Sequence, residues 1–235
     1  MSGRLNDPKF KVLDMPLNNN AKDVSGYGND GTWFGTEAYA EDAFGGTTGD
    51  FDRASDLTIA NPTSFDFGTS TDFSLFTWIK TSLAAVSKLI IRQGTDPRWY
   101  LGIKSGAGTQ NILAFVDDGS TLVTATSTSV VNDDEWHLVG ATFTRTGDIQ
   151  IYIDGEPNGA AEDMSSVGTL DNNNPLIIGA GPGHAEDFQG QLGKTKIYKI
   201  ALTRDEVKAL YNQGQRNPKQ VKVDQPIDTL PNLSD

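Results

Sequence analysis

The segment from Asp134 to Gly214 constrains the fold of this 235-residue chain more than any other. Ile149, Ile151 and Ile153 alternate with Asp148, Gln150 and Tyr152, and a period of two places the three isoleucines on one face of a β-strand. Asp154-Gly155 follows at once. That dipeptide accepts the positive φ angles of a tight hairpin, so the strand turns back on itself. Leu176-Ile177-Ile178 is a further apolar run bounded by Pro175 and Gly179. The segment closes on Thr203-Arg204-Asp205-Glu206, a capping box whose hydroxyl and carboxylate satisfy amides at a helix start. Val207, Leu210 and Tyr211 then fall on one helical face, and Gly214 is expected to stop the helix in the left-handed conformation. Strands joined by tight turns and closed by one short helix predict an all-β antiparallel β-sandwich.

The residues themselves carry a resemblance. Trp136-His137 before a strand, Tyr152-Ile153-Asp154-Gly155 at a hairpin, Phe188-Gln189-Gly190-Gln191-Leu192 at a turn and Ala201-Leu202-Thr203 before the helix occur in that order. They resemble the second half of a laminin G-like domain of the concanavalin A-like jelly-roll superfamily. Met15-Pro16-Leu17, the loop Asp23 to Thr32, the strand Phe51 to Ile59 and the strand Phe73 to Thr81 resemble its first half. The resemblance covers residues 15–214 as one domain, leaving 1–14 as an N-terminal arm and 215–235 as an extended tail. It implies a jelly roll that serves more often as a binding scaffold than as an enzyme, with Trp78 and Trp136 at core positions.

Charge narrows the partners. The formal net charge is −12, and nucleic-acid affinity comes from Lys and Arg displacing counterions, so no nucleic acid is expected. Attraction to anionic membranes is disfavoured in the same way, and no apolar run approaches the roughly 20 residues that span a bilayer. Without cysteine there is no disulfide, thiolate or thiolate-bound metal. The first residues, MSGRLNDPKFKVLDMPL, lack the charged start, apolar stretch and small-residue cleavage site of a secretory signal, which fits a virion protein assembled in the host cytoplasm and equally a secreted chain whose signal has been removed.

Pro218, Pro226 and Pro231 forbid a helix in the tail. An extended arm carrying Pro218, Val221, Val223, Pro226, Ile227 and Leu230 is ordered most easily by lying across a neighbouring subunit. Self-association, or contact with other virion proteins, is the corresponding expectation. The favoured role is a bacteriophage virion component, a capsid decoration or tail-appendage protein at the virion surface that binds host glycans. The alternatives are a soluble or extracellular carbohydrate-binding lectin-like module, and a polysaccharide hydrolase or lyase.

Chemistry for catalysis is sparse. Glycosidic cleavage needs two carboxylates flanking the bond, and no strand presents Glu and Asp at alternate positions; Asp154 and Glu156 fall at a hairpin tip. His137 lies at a strand entrance and His184 in a loop, each without a nucleophile nearby. No catalytic residue is assigned. For stacking on a sugar ring the candidates are Trp33 and Tyr39, after the glycine-rich turn, and Trp99 and Tyr100, near a strand start. Asp23, Asn29 and Asp30, with carbonyls freed by Gly26 and Gly28, suit Ca²⁺, which takes six to eight oxygens from flexible loops. Relatives complete such a site with an Asp where this chain has Gly193-Lys194, so a plain turn closed by Asp side chains is the competing expectation.

Overall fold

The computed structural model describes residues 3–42, 46–60, 63–92, 96–106 and 109–215. A short helix α1 (Gly3–Asn6) precedes β1 (Lys11–Met15), β2 (Thr32–Phe34), β3 (Tyr39–Glu41), β4 (Thr47–Asp52) and β5 (Asp56–Ile59). The middle of the chain forms β6 (Phe73–Lys80), β7 (Ser87–Arg92), β8 (Arg98–Gly106), β9 (Thr109–Asp117) and β10 (Leu122–Val130). Then come β11 (Trp136–Phe143), β12 (Asp148–Ile153), β13 (Glu156–Pro157), β14 (Glu162–Asp163), β15 (Leu176–Ile178), β16 (Gln189–Tyr198) and α2 (Arg204–Gln215).

These strands make two antiparallel sheets. One has nine strands in the order β13-β12-β11-β6-β16-β4-β3, with β1 also on β16 and β14 also on β12. The other has seven, ordered β10-β9-β8-β7-β15-β5-β2. Alternation decides what fills the space between them. Phe73, Leu75 and Ile79 of β6, Val139, Ala141 and Phe143 of β11, and Ile149, Ile151 and Ile153 of β12 all enter one buried cluster with Trp99, Leu101 and Ile103 of β8. The jelly-roll expectation holds.

The nine-stranded sheet buries its other face too. Phe76, Trp78, Leu138, Tyr152 and Tyr198 point away from the main core and meet Leu202, Val207 and Leu210 around α2. The helix starts as its sequence dictates. The Thr203 amide donates to Glu206 Oε2 at 2.9 Å and the Glu206 amide to Thr203 Oγ1 at 3.4 Å, both arms of the capping box.

Four sequence expectations are corrected or fall outside the description. Residues 3–14 of the expected 1–14 arm are packed on the domain: Leu5 is buried beneath α2, and β1 pairs with β16 from Lys11 to Met15. Phe51 to Ile59 is two strands, because the chain leaves one sheet at Asp52 and enters the other at Asp56 through Arg53 at φ +71°. Gly214 does not end the helix in a left-handed turn; it lies within α2, where its missing side chain makes room for the Trp78 indole. Pro218, Val221, Val223, Pro226, Ile227 and Leu230 lie outside the described residues.

Candidate functional site

The hairpin of β12 and β13 turns at Asp154, φ +54°, and Gly155, φ +83°, the two positive angles such a turn requires. It also fixes His137. His137 Nδ1 lies 2.8 Å from Asp154 Oδ2 and Nε2 3.1 Å from Asp133 Oδ1, while Asp154 Oδ1 accepts the Leu138 amide at 3.0 Å. The Asp154 hydrogen bond raises the His137 pKa above its ordinary 6.5 against the opposing effect of burial. The imidazole is a brace between two loops. Because its folded-state pKa is raised, its stabilisation is fully present below pH 6.5 and fades as pH rises through the raised value. His137→Gln is therefore expected to cost about 1 kcal/mol more at pH 6 than at pH 9 in urea unfolding. An equal cost at both values would show that the charge is not used.

The loop Asp23 to Asp30 spends its carboxylates on itself. Asp23 Oδ1 accepts the amides of Asp14 and Ser25, and Oδ2 accepts the Ser25 hydroxyl and the Asn29 amide, all between 2.7 and 3.0 Å. That fills the lone-pair sites of a carboxylate. Asp30 Oδ1 accepts the Asp23 amide at 2.9 Å and Oδ2 pairs with Lys22 Nζ at 2.6 Å. Asn29 Nδ2 donates to Val12 O and Ser64 Oγ. Asp23, Asn29 and Asp30 in this arrangement do not fit Ca²⁺, and no described group of three or more His, Cys, Asp or Glu residues is placed to hold a metal ion. Millimolar Ca²⁺ is expected to leave the melting temperature where chelator puts it. A rise equivalent to about 2.7 kcal/mol, as a ligand gives at a hundred times its Kd, would restore the calcium site.

Of the four ring residues expected to stack on sugars, Trp99 lies in the core, while Trp33, Tyr39 and Tyr100 are half-buried and engaged by neighbouring side chains. Trp99 is 0 % exposed and packs on Phe67 and Phe73 at 5.4 and 5.8 Å. Tyr100 points to the opposite face of the seven-stranded sheet, where it stacks on Phe115 at 4.5 Å with Lys88 Nζ 4.2 Å above its ring. Burial pushes its hydroxyl up to about 12. Trp33 packs on Phe51 at 5.0 Å and donates from Nε1 to Tyr39 Oη, which donates in turn to Glu37.

A concave site forms elsewhere, on the outer face of the nine-stranded sheet beside α2. A cleft of 180 Å³ is walled by Trp136, Trp78, Asn18, Thr47, Thr48 and Lys194, among others. Gly193 at its floor has no side chain, and a Cβ there would lie 3.1 Å from Trp78 Cβ and 3.7 Å from Trp136 Cζ3. Trp78 is held from behind by Tyr211, stacked at 5.6 Å. Trp136 is half-buried and keeps part of its ring open to the cleft. On the other side Thr47 Oγ1 donates to Asn18 Oδ1 at 3.0 Å, fixing the asparagine amide. Donors and acceptors thus converge on an aromatic wall, the usual make-up of a small-ligand site. Trp78 is buried as the resemblance implies, in the cluster under α2, while Trp136 is only half-buried, which the sequence pattern does not show. The missing signal is the face: Trp136 and Leu138 alternate with His137 and Val139, so they cannot join Val139 between the sheets.

Two antiparallel sheets packed face to face, with a cleft on one outer face, define a jelly-roll β-sandwich. Residues 51–208 match the family described as the concanavalin A-like lectin/glucanases superfamily, and the chain belongs to that family, in its laminin G-like branch. Adhesion G-protein coupled receptor V1 of Danio rerio is 22% identical over 149 residues, which are 60% of this chain and 2% of the receptor. The binding domain of Paraclostridial Mosquitocidal Protein 1 superposes with a TM-score of 0.75 at 18% identity, over 89% of this chain and 53% of that one. Domain 4 of AbnA, a GH43 extracellular arabinanase from Geobacillus stearothermophilus solved with arabinotriose, gives 0.67 at 18% identity, over 86% and 98%. This chain therefore spans about half of the toxin binding domain and a small fraction of the receptor. No described helix is long and apolar enough to cross a membrane.

Proposed function

We propose that this protein is a non-catalytic glycan-binding domain whose ligand sits in the Trp136 cleft. The observation that carries this is a half-open indole facing the fixed amide of Asn18, the hydroxyls of Thr47 and Thr48 and the ammonium of Lys194 across 180 Å³. A ring face of this kind matches the apolar face of a sugar, and the polar wall matches its hydroxyls. The solved arabinotriose complex of an AbnA domain with the same fold supports a sugar as the ligand class. A binding role also accords with the carboxylates near the hairpin. Asp154 is engaged by His137, and Glu156 is paired with Arg204 at 2.7 Å and Lys208 at 2.8 Å, so neither stands ready as acid or nucleophile.

The toxin binding domain and the extracellular arabinanase to which the chain is similar favour a setting outside the cell. The virion role expected from the sequence rests on the N-terminus without a secretory signal and on extended termini; the tail of residues 217–235 lies outside the described residues and residues 3–14 are packed on the domain, so the glycan-binding role leads. A glycan array followed by incubation with the best-bound polysaccharide tests both parts. The expected outcome is binding that quenches tryptophan fluorescence, with no new reducing or unsaturated ends. Release of product by purified protein would overturn the non-catalytic assignment, and absence of any bound glycan would overturn the binding one.

A further inference from the structure

The exposed face of the nine-stranded sheet continues beyond the cleft. Register sets Asp50 of β4 opposite Gln191 of β16, Gln191 opposite Lys80 of β6, and Lys80 opposite Trp136 of β11. Cross-strand partners share a face, so these four side chains form one row across four strands. Asp52 and Gln189 pair one step further along. Past the row lies a second hollow of 550 Å³, bordered by Asp50, Asp52, Lys80, Gln189, Gln191 and Asp134. Thr48 lines the cleft and Asp52 the hollow, four residues apart on one strand, which is roughly 13 Å at 3.3 Å per residue. Trp136 and Lys80 stand where the two meet.

Resting on the glycan-binding role proposed above, we infer that the ligand is a neutral, linear oligosaccharide laid along β4, β16 and β6. One sugar occupies the Trp136 cleft and the chain continues over Gln191 and Asp50 into the hollow. The chemistry of the strip selects for hydroxyls. Carboxylates only accept, an ammonium only donates and a glutamine amide does both, so a row of Asp50, Gln191 and Lys80 offers each polarity of hydrogen bond to a partner that both donates and accepts. The sign of the charge selects against polyanions. Asp50, Asp52 and Asp134 surround the hollow against a single described cation, Lys80, on a chain of net charge −12, and a sulfated or uronate polymer would meet like charge there.

The test is calorimetric titration of the full chain with neutral arabino-, xylo-, cello- and malto-oligosaccharides of one to five units, alongside oligogalacturonates of the same lengths. Affinity for the bound neutral series is expected to rise about tenfold or more from one unit to three, a difference of about 1.4 kcal/mol. In the double variant Asp50→Ala, Gln191→Ala, the first at an exposed and the second at a half-buried position, the ratio between long and short chains is expected to collapse toward one. Length-independent affinity that is still lost in Trp136→Ala would overturn the extended site and leave the glycan role standing. Tighter binding of the galacturonates would overturn the neutral assignment. No binding across every series would remove both.

Discussion

Trp99→Ala is expected to lower unfolding stability by about 3 to 5 kcal/mol, the range for removing a large aromatic from a close-packed core. The indole is 0 % exposed and sits among rings that touch one another: Phe67 and Phe73 stack at 4.1 Å and Phe73 and Phe143 at 4.2 Å. Rings wedged against each other from both sheets cannot collapse into the space an indole leaves, so the cavity cost adds to the lost transfer energy. Domains of this kind hold roughly 5 to 15 kcal/mol in all, and the variant would be marginal. Urea unfolding is expected to show a lower midpoint with an unchanged slope. Trp136→Ala, at a half-buried position on the outer face, is expected to keep most of its stability. Should the two variants be equally stable, the assignment of one ring to the core and the other to the cleft would be wrong.

Asp66→Asn is the second large effect. Arg92 ends β7 with its guanidinium 0 % exposed, Nη1 2.7 Å from Asp66 Oδ1, Nε donating to Asn174 O at 3.3 Å and Nη2 to Asn172 O. Its neighbour across the sheet is Trp99, so the charge lies at the end of the aromatic core. Two carbonyls satisfy hydrogen bonds without neutralising the charge, and removing the carboxylate leaves an uncompensated buried cation. The pair is open to water on the Asp66 side, whose side chain is 33 % exposed. That places the loss at about 3 kcal/mol, the lower end for breaking a buried pair. Replacing Arg92 by Met in the same background is expected to recover most of it, since an uncharged Asn and Met tolerate burial better than one stranded charge. A double variant no better than Asp66→Asn would mean that packing, and not charge, accounts for the cost.

Local chemistry in the sequence was a good guide wherever one element dictates its own form. The alternating isoleucines of β12, the Asp154-Gly155 turn and the Thr203–Glu206 capping box all stand as read, because each depends on residues within a few positions. What escaped the sequence depends on which face an element presents to a distant one. Trp78 and Trp136 share a face decided by α2 packing over β6 and β11, where Trp78 is buried as expected and Trp136 is only half-buried. Gly214 looked like a helix stop, and it is small because Trp78 lies against it. Trp99 and Tyr100 are adjacent, and only the sheet tells which goes inward. The Asp23 loop shows the same limit from the other side, since a run of Asp, Gly and Asn composes equally a calcium site and a self-closed turn, and only the hydrogen bonds to Asp14, Ser25 and Asn29 separate them.

A crystal structure of the chain with its best-bound oligosaccharide would locate the ligand. One sugar ring is expected against the open part of the Trp136 indole, hydrogen-bonded to Asn18 or Thr48, with the next unit directed over Gln191 toward Asp50. A sugar bound instead on the outer face of the seven-stranded sheet, over Tyr100 and Phe115, would rule out the Trp136 cleft as the binding site.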